Sequence, residues 1–133
     1  MREVIAKNEY YEIEVDREKN RSYSKYKGYW KSVDAVSEYL NDIEKLTKSL
    51  KPGFTTLLDI RDETGFKVPP QDVIKLLIEA QKKFESAGFS KSARVVTRPL
   101  EKLTSKRVGT EADVKEKVRE FNSMAEAEAW LDE

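Results

Sequence analysis

The chain has 133 residues, with 25 Lys and Arg against 25 Asp and Glu, and contains neither cysteine nor histidine. One domain fits that length, two do not fit comfortably, and balanced charge supplies no global field toward nucleic acid or an anionic membrane. The missing residue types exclude disulfides, thiol catalysis and cysteine-ligated metal sites, and remove the commonest general base and zinc ligand.

Charged residues make up 38% of the chain, as do hydrophobic ones. Because the apolar residues are periodic rather than sparse, that charge belongs to the solvated faces of helices, not to disorder. The opening MREVIAKNEYYEIEVD lacks the apolar core of a signal peptide. No apolar run approaches the roughly 20 residues of a membrane span. A cytoplasmic protein with residues 1–9 loosely ordered is expected.

In YYEIEVD, Tyr11, Ile13 and Val15 alternate with Glu12, Glu14 and Asp16, the pattern of a half-buried strand. REKNR is turn-like, with Asn20 able to take a left-handed conformation. SYSKYKGYW, residues 22–30, reads as a second strand paired antiparallel with the first, and Gly28 suggests a bulge within it. Ser32 can cap the next helix. Val33, Val36, Leu40, Ile43 and Leu50 share one face of it, with Glu38, Asp42, Lys45 and Lys48 elsewhere. Lys51-Pro52-Gly53 ends it.

Phe54 to Ile60, FTTLLDI, shows little alternation, as a strand covered on both faces would. Pro69-Pro70 opens a second long helix with Val73, Leu77, Ala80, Phe84 and Ala87 as its buried stripe, and Gly88 stops it. Ser92 to Thr97 is a short apolar strand. Pro99 starts a third helix carrying Leu100, Leu103 and Val108, and Val118 to Phe121 suits a last strand. Ser123 followed by Glu126 is a capping-box pattern. Met124, Ala127, Trp130 and Leu131 then fall on one helical face, so the chain is expected to close with Trp130 pressed into the interior. The fold class is α/β: a single mixed sheet, an N-terminal hairpin plus parallel central strands, covered largely on one face by amphipathic helices in the order β-β-α-β-α-β-α-β-α. Phe121, Leu57, Leu58 and Phe84 join Trp130 and Leu131 as structural anchors.

Four phrases, YKGYWKSVDAVSEYL, KPGFTTLLDIRD, EAQKKFESAGFSKSARVV and FNSMAEAEAWL, resemble the STAS-like domains related to the sporulation anti-sigma factor antagonist, the SpoIIAA-like group. The likeness covers nearly the whole chain from about Tyr10. These domains are also compared with the lipid-binding SEC14 fold. The resemblance implies a non-catalytic regulatory module in contact with a protein partner, a kinase-like anti-sigma factor or another regulator, with no cofactor. In the sigma-regulatory members that partner phosphorylates a serine or threonine after the central strand, adding about −1.5 to −2 charges where partners dock. Here the equivalent loop reads Asp59-Ile-Arg-Asp-Glu-Thr-Gly-Phe-Lys-Val-Pro-Pro. Thr64 is its only hydroxyl and the candidate phosphoacceptor; the Asp-Ser-Ser-Gly-like phrase is missing, so the usual switch is not expected.

Asp59, Asp62, Glu63, Thr64, Gly65 and Lys67 form the candidate partner-contact loop. Asp59, flanked by apolar residues, must meet a hydrogen-bonding or basic partner if buried. With Asp62 and Glu63 it lacks the oxygen ladder of a calcium loop, so no metal is assigned, and no catalytic pair is evident. Tyr23, Tyr26, Tyr29 and Trp30 interleave with Lys25, Lys27 and Lys31. Such a set can stack bases, but a core-facing hairpin edged by lysines explains it better in a chain without net positive charge, and no nucleic-acid partner is expected. KSARVVTR and KLTSKR read as solvated basic stretches. Two functions remain: the interaction module, and a binder of a small apolar ligand or lipid between helices and sheet. A homodimer through the hairpin edge is compatible with either.

Overall fold

The computed structural model describes residues 2–61, 69–96, 105–108, 110 and 115–133. Six strands, β1 (Glu3–Lys7), β2 (Tyr11–Asp16), β3 (Arg21–Tyr26), β4 (Thr55–Asp59), β5 (Lys91–Val95) and β6 (Val118–Phe121), lie in one sheet in chain order. β1, β2 and β3 pair antiparallel, and β3 through β6 pair parallel. The mixed sheet is therefore the expected one, with β4 near its middle and buried along nearly its whole length. Helices α1 (Tyr39–Lys48), α2 (Gln71–Ala87) and α3 (Met124–Leu131) cover it, and residues 105–108 form a further helical piece.

β1 is an addition to the expected order. Its pairing with β2 slips between Val4 and Ala6, and that bulge breaks the alternation by which a strand is read from sequence. Val4 is exposed, as an edge strand tolerates. The second strand of the hairpin stops at Tyr26, so Gly28, at φ 67°, turns the chain after the strand instead of bulging within it. The first helix is also shorter than expected. A 3-10 turn at Asp34–Val36, capped where Ala35 N donates to Ser32 Oγ, precedes α1, which begins only at Tyr39. Asp42, expected on the solvated side, is buried and accepts a 2.6 Å hydrogen bond from Tyr11 Oη, because a buried phenol needs an acceptor.

The helices cover both faces, not one. Tyr11, Ile13 and Val15 of β2 pack with α1 and α2 through Tyr39, Ile43, Leu46, Val73, Ala80 and Phe84. On the opposite face Tyr23, Leu57, Ala93 and Val95 meet Ala127 and Leu131 of α3. Period-two side-chain direction forces this: Leu57 and Leu58 point to opposite faces, and both are buried. Ser123 caps α3, its Oγ accepting from Glu126 N at 3.2 Å. Ala127 and Leu131, four apart, form the centre of the buried stripe, which leaves Trp130 on its flank. Trp130 is accordingly half-buried, not sealed inside. Its ring tilts against Phe121 at 5.6 Å, with Lys91 Nζ 5.2 Å and the Arg119 guanidinium 5.1 Å from its centroid. Arg21 on β3, only 4% exposed in its side chain, ties α3 down by ion pairs to Glu128 and to Asp132 (2.9 Å), while its Nε donates a 2.8 Å bond to Thr55 Oγ1 on β4.

Asn20 joins the two halves of the sheet. At φ 53° it takes the left-handed turn that the sequence allows it. Its amide donates to Lys51 O and accepts from Lys51 N, at 3.0 and 2.8 Å, while its carbonyl accepts from Thr55 N at the start of β4. Asn20→Ala removes both side-chain bonds and strains the turn, and is expected to cost about 2–4 kcal/mol in urea unfolding. Asn20→Gly, which relieves the strain but not the lost bonds, should recover about 1 kcal/mol of that. Leu131→Ala is expected to cost about 2–5 kcal/mol by the same measurement.

Candidate functional site

The parallel strands β3, β4 and β5 end on the same side, and a pocket opens there between their carboxyl ends and α2. Ligands of open α/β sheets collect at that place because the strand ends and loops leave a crevice. Tyr26 and the turn after it, Gly28 to Trp30, form one wall. Leu58 and Ile60 form the floor. Val73, Leu77 and Gln81, spaced four apart, present one face of α2 as the opposite wall. Arg94 of β5, with Ser105 and Val108, completes the lining. The pocket holds about 80 Å³, within a larger recess of about 780 Å³ that opens to solvent.

An aromatic cluster stiffens the first wall. Tyr11, Tyr26, Trp30 and Tyr39 lie with ring centroids 4.8 to 6.0 Å apart, mostly edge to face. Trp30 Nε1 donates to Tyr10 O at 2.9 Å, and the hydroxyls of Tyr26 and Tyr39 share a 2.5 Å hydrogen bond. The tyrosine and lysine run of the sequence thus resolves into buried rings, with Lys25 exposed and Tyr29 41% exposed at the pocket rim.

Arg94 is the feature that the sequence reading missed, having placed it in a solvated stretch. It is 2% exposed. Its Nη1 donates to the carbonyl of Ser105 and, at 2.9 Å, to Ser105 Oγ. Its Nε and Nη2 are buried and have no hydrogen-bond partner among the described residues. Burial pushes the guanidinium below its ordinary range, an effect the nearby Tyr26 and Tyr39 phenols and Glu120 partly offset. Gln81 Oε1, across the pocket on α2, is likewise a buried oxygen without a partner, as are Ser24 Oγ and Ser92 Oγ on the same sheet face. A signal was present in the sequence: a charged residue between Ala93 and Val95 in an apolar strand, the pattern already noted at Asp59.

Asp59 is buried at the end of β4 and has its cation in Arg61. Arg61 Nε donates to Oδ1 at 2.9 Å and Nη2 to Oδ2 at 2.8 Å, and Arg61 N adds a 3.2 Å bond. The other residues of the candidate partner-contact loop, Asp62, Glu63, Thr64, Gly65 and Lys67, lie outside the described residues, as do Pro99, Leu100 and Leu103. Among the described residues no cluster of carboxylates could hold a metal ion. Nor is any helix there long and apolar enough to cross a membrane. No protein-family model matches the chain, and neither a curated protein nor a solved structure matches it.

Burial raises the pKa values of the cluster's phenols. It is the main cause at Tyr11, reinforced by the Asp42 hydrogen bond, and at Tyr26 and Tyr39. Folded phenols therefore keep their protons at pH values where unfolded ones, near pH 10, lose them. The unfolded state then binds fewer protons, so stability falls as pH rises above about 10. Urea midpoints should be insensitive to these groups between pH 7 and 9 and drop steeply above about 10. Tyr11→Phe should lower the midpoint at pH 8 and flatten the alkaline slope.

Proposed function

We propose that the chain is a binding module that holds a small, largely apolar ligand in the pocket between α2 and the ends of β3, β4 and β5. The observation that carries this reading is the pocket itself: apolar walls from Leu58, Ile60, Val73, Leu77 and Trp30, with a few polar groups, Gln81, Arg94 and Ser105, among them. Recognition sites combine a mostly apolar lining with a few fixed polar atoms, and this lining has that composition. The absence of histidine and cysteine fits a holding role better than a chemical one. The likeness to STAS-like domains, and through them to a lipid-binding fold, points the same way by analogy. The other reading, a regulatory module contacting a protein partner, places its surface on residues 62–68 and the start of α2 at Pro70–Val73; the pocket is the observation that favours ligand binding.

The neutral fluorophore N-phenyl-1-naphthylamine tests the reading. Its emission should rise saturably with one site per chain. Leu77→Trp, which fills the pocket from α2, should weaken that binding at least ten-fold while leaving the urea midpoint near that of the parent. A folded parent protein that gives no saturable signal would overturn the proposal.

A further inference from the structure

Within the pocket, the unpaired edge of Arg94 specifies more than apolarity. A guanidinium has a planar, fixed arrangement of donors, and adjacent N–H groups on one edge match the two oxygens of a carboxylate. In Arg94 the edge toward Ser105 is used through Nη1, and the neighbouring Nε–Nη2 edge is bare. The same edge of Arg61 shows what it accepts in this molecule: Nε and Nη2 hold the two oxygens of Asp59 at 2.9 and 2.8 Å. Arg94 differs in that no carboxylate among the described residues takes the position. Glu120, its register partner on β6, lies on the same sheet face, yet forms no ion pair with it.

A buried cation with two bare donors is costly, and a structure that keeps one in the lining of a pocket favours a ligand that completes it. Resting on the pocket reading above, we propose that the site selects a small apolar monocarboxylate, its carboxylate bound to the Nε–Nη2 edge of Arg94 and its hydrocarbon body lying between Leu58 and the Val73–Leu77 face of α2. Charge count sets the class. One guanidinium balances one negative charge, and among the described residues the other groups that act on its charge are the Tyr26 and Tyr39 phenols and the acidic Glu120. A phosphate monoester, near two negative charges, would bring an uncompensated charge into an apolar recess, with Glu120 adding repulsion. The pocket volume of about 80 Å³ sets the size. It is roughly half that of an apolar cavity able to hold benzene, so a short carboxylate end fits there while a longer body continues into the recess that opens to solvent.

Competition against N-phenyl-1-naphthylamine on the intact chain tests the proposal, with hexanoate, 1-hexanol and methyl hexanoate as competitors. Hexanoate is expected to displace the fluorophore at a concentration at least ten-fold below either neutral compound. Arg94→Met, which keeps roughly the side-chain volume but not the donors, should lose the preference: measured against the variant's own fluorophore affinity, the three compounds should compete equally. Equal competition by the three compounds in the parent protein would overturn the carboxylate assignment and leave the pocket reading standing. Failure of the fluorophore to bind the parent at all would overturn the pocket reading itself. A hexanoate preference that survives Arg94→Met would assign the anion to another cation and refute the role of Arg94. Should Arg94→Met not fold, the parent's preference for hexanoate over its uncharged methyl ester decides the carboxylate assignment, and a shift of the Arg94 Nε–H resonance on adding hexanoate, or its absence, decides the role of Arg94.

Discussion

A guanidinium shut between a parallel sheet and a helix is the constraint from which the rest of this structure is best understood. Removing a charge from water costs several kcal/mol unless the protein returns the lost hydrogen bonds. Around Arg21 the return is complete, since two carboxylates and a threonine hydroxyl surround it, and that ion pair fastens α3 to the sheet. Around Arg94 the return is partial. The two arginines lie on opposite faces of one sheet, and the contrast separates a structural cation from one available to a ligand.

The sheet makes both environments possible. Parallel strands β3, β4 and β5 are covered above and below, so side chains pointing either way enter a dry layer. Where α1 and α2 pack on Tyr11, Ile13 and Val15 of β2 the layer closes. Toward the strand ends, α2 and the turn at Gly28 diverge around Leu58 and Ile60, and the layer opens as the pocket. The Tyr11–Tyr26–Trp30–Tyr39 cluster keeps that opening rigid. Its members are locked by the Tyr11–Asp42, Tyr26–Tyr39 and Trp30–Tyr10 hydrogen bonds. A pocket with stiff walls loses less freedom on binding, which favours a small ligand with few contacts.

Much of this fold was legible in the sequence. The alternation of Tyr11, Ile13 and Val15, the unbroken apolar run at Leu57 and Leu58, the Pro70 and Gly88 limits of α2, and the Ser123 cap each name their element through a local rule. What escaped was settled by partners distant in sequence. β1 was hidden by its bulge, Asp42 by the phenol 31 residues away that reaches it, and the second helical layer by the need to cover the far side of Leu57 and Ala93. Trp130 was overestimated because helical spacing gives a face but not how deep its flank sits. The site was the least legible part. Asp59 was marked as a buried charge seeking a partner, and the same argument applied to Arg94 would have marked the pocket.

The most direct measurement is the side-chain nitrogen resonance of Arg94, followed by NMR in isotope-labelled protein as hexanoate is added. A carboxylate on the bare edge hydrogen-bonds the Nε–H group, so that proton should move downfield and exchange more slowly with water at saturation. Backbone amides of the Val73–Gln81 stretch should shift in the same titration. If those amides respond while the Arg94 Nε–H signal stays where it was, the ligand does not meet the guanidinium, and the account of Arg94 is wrong.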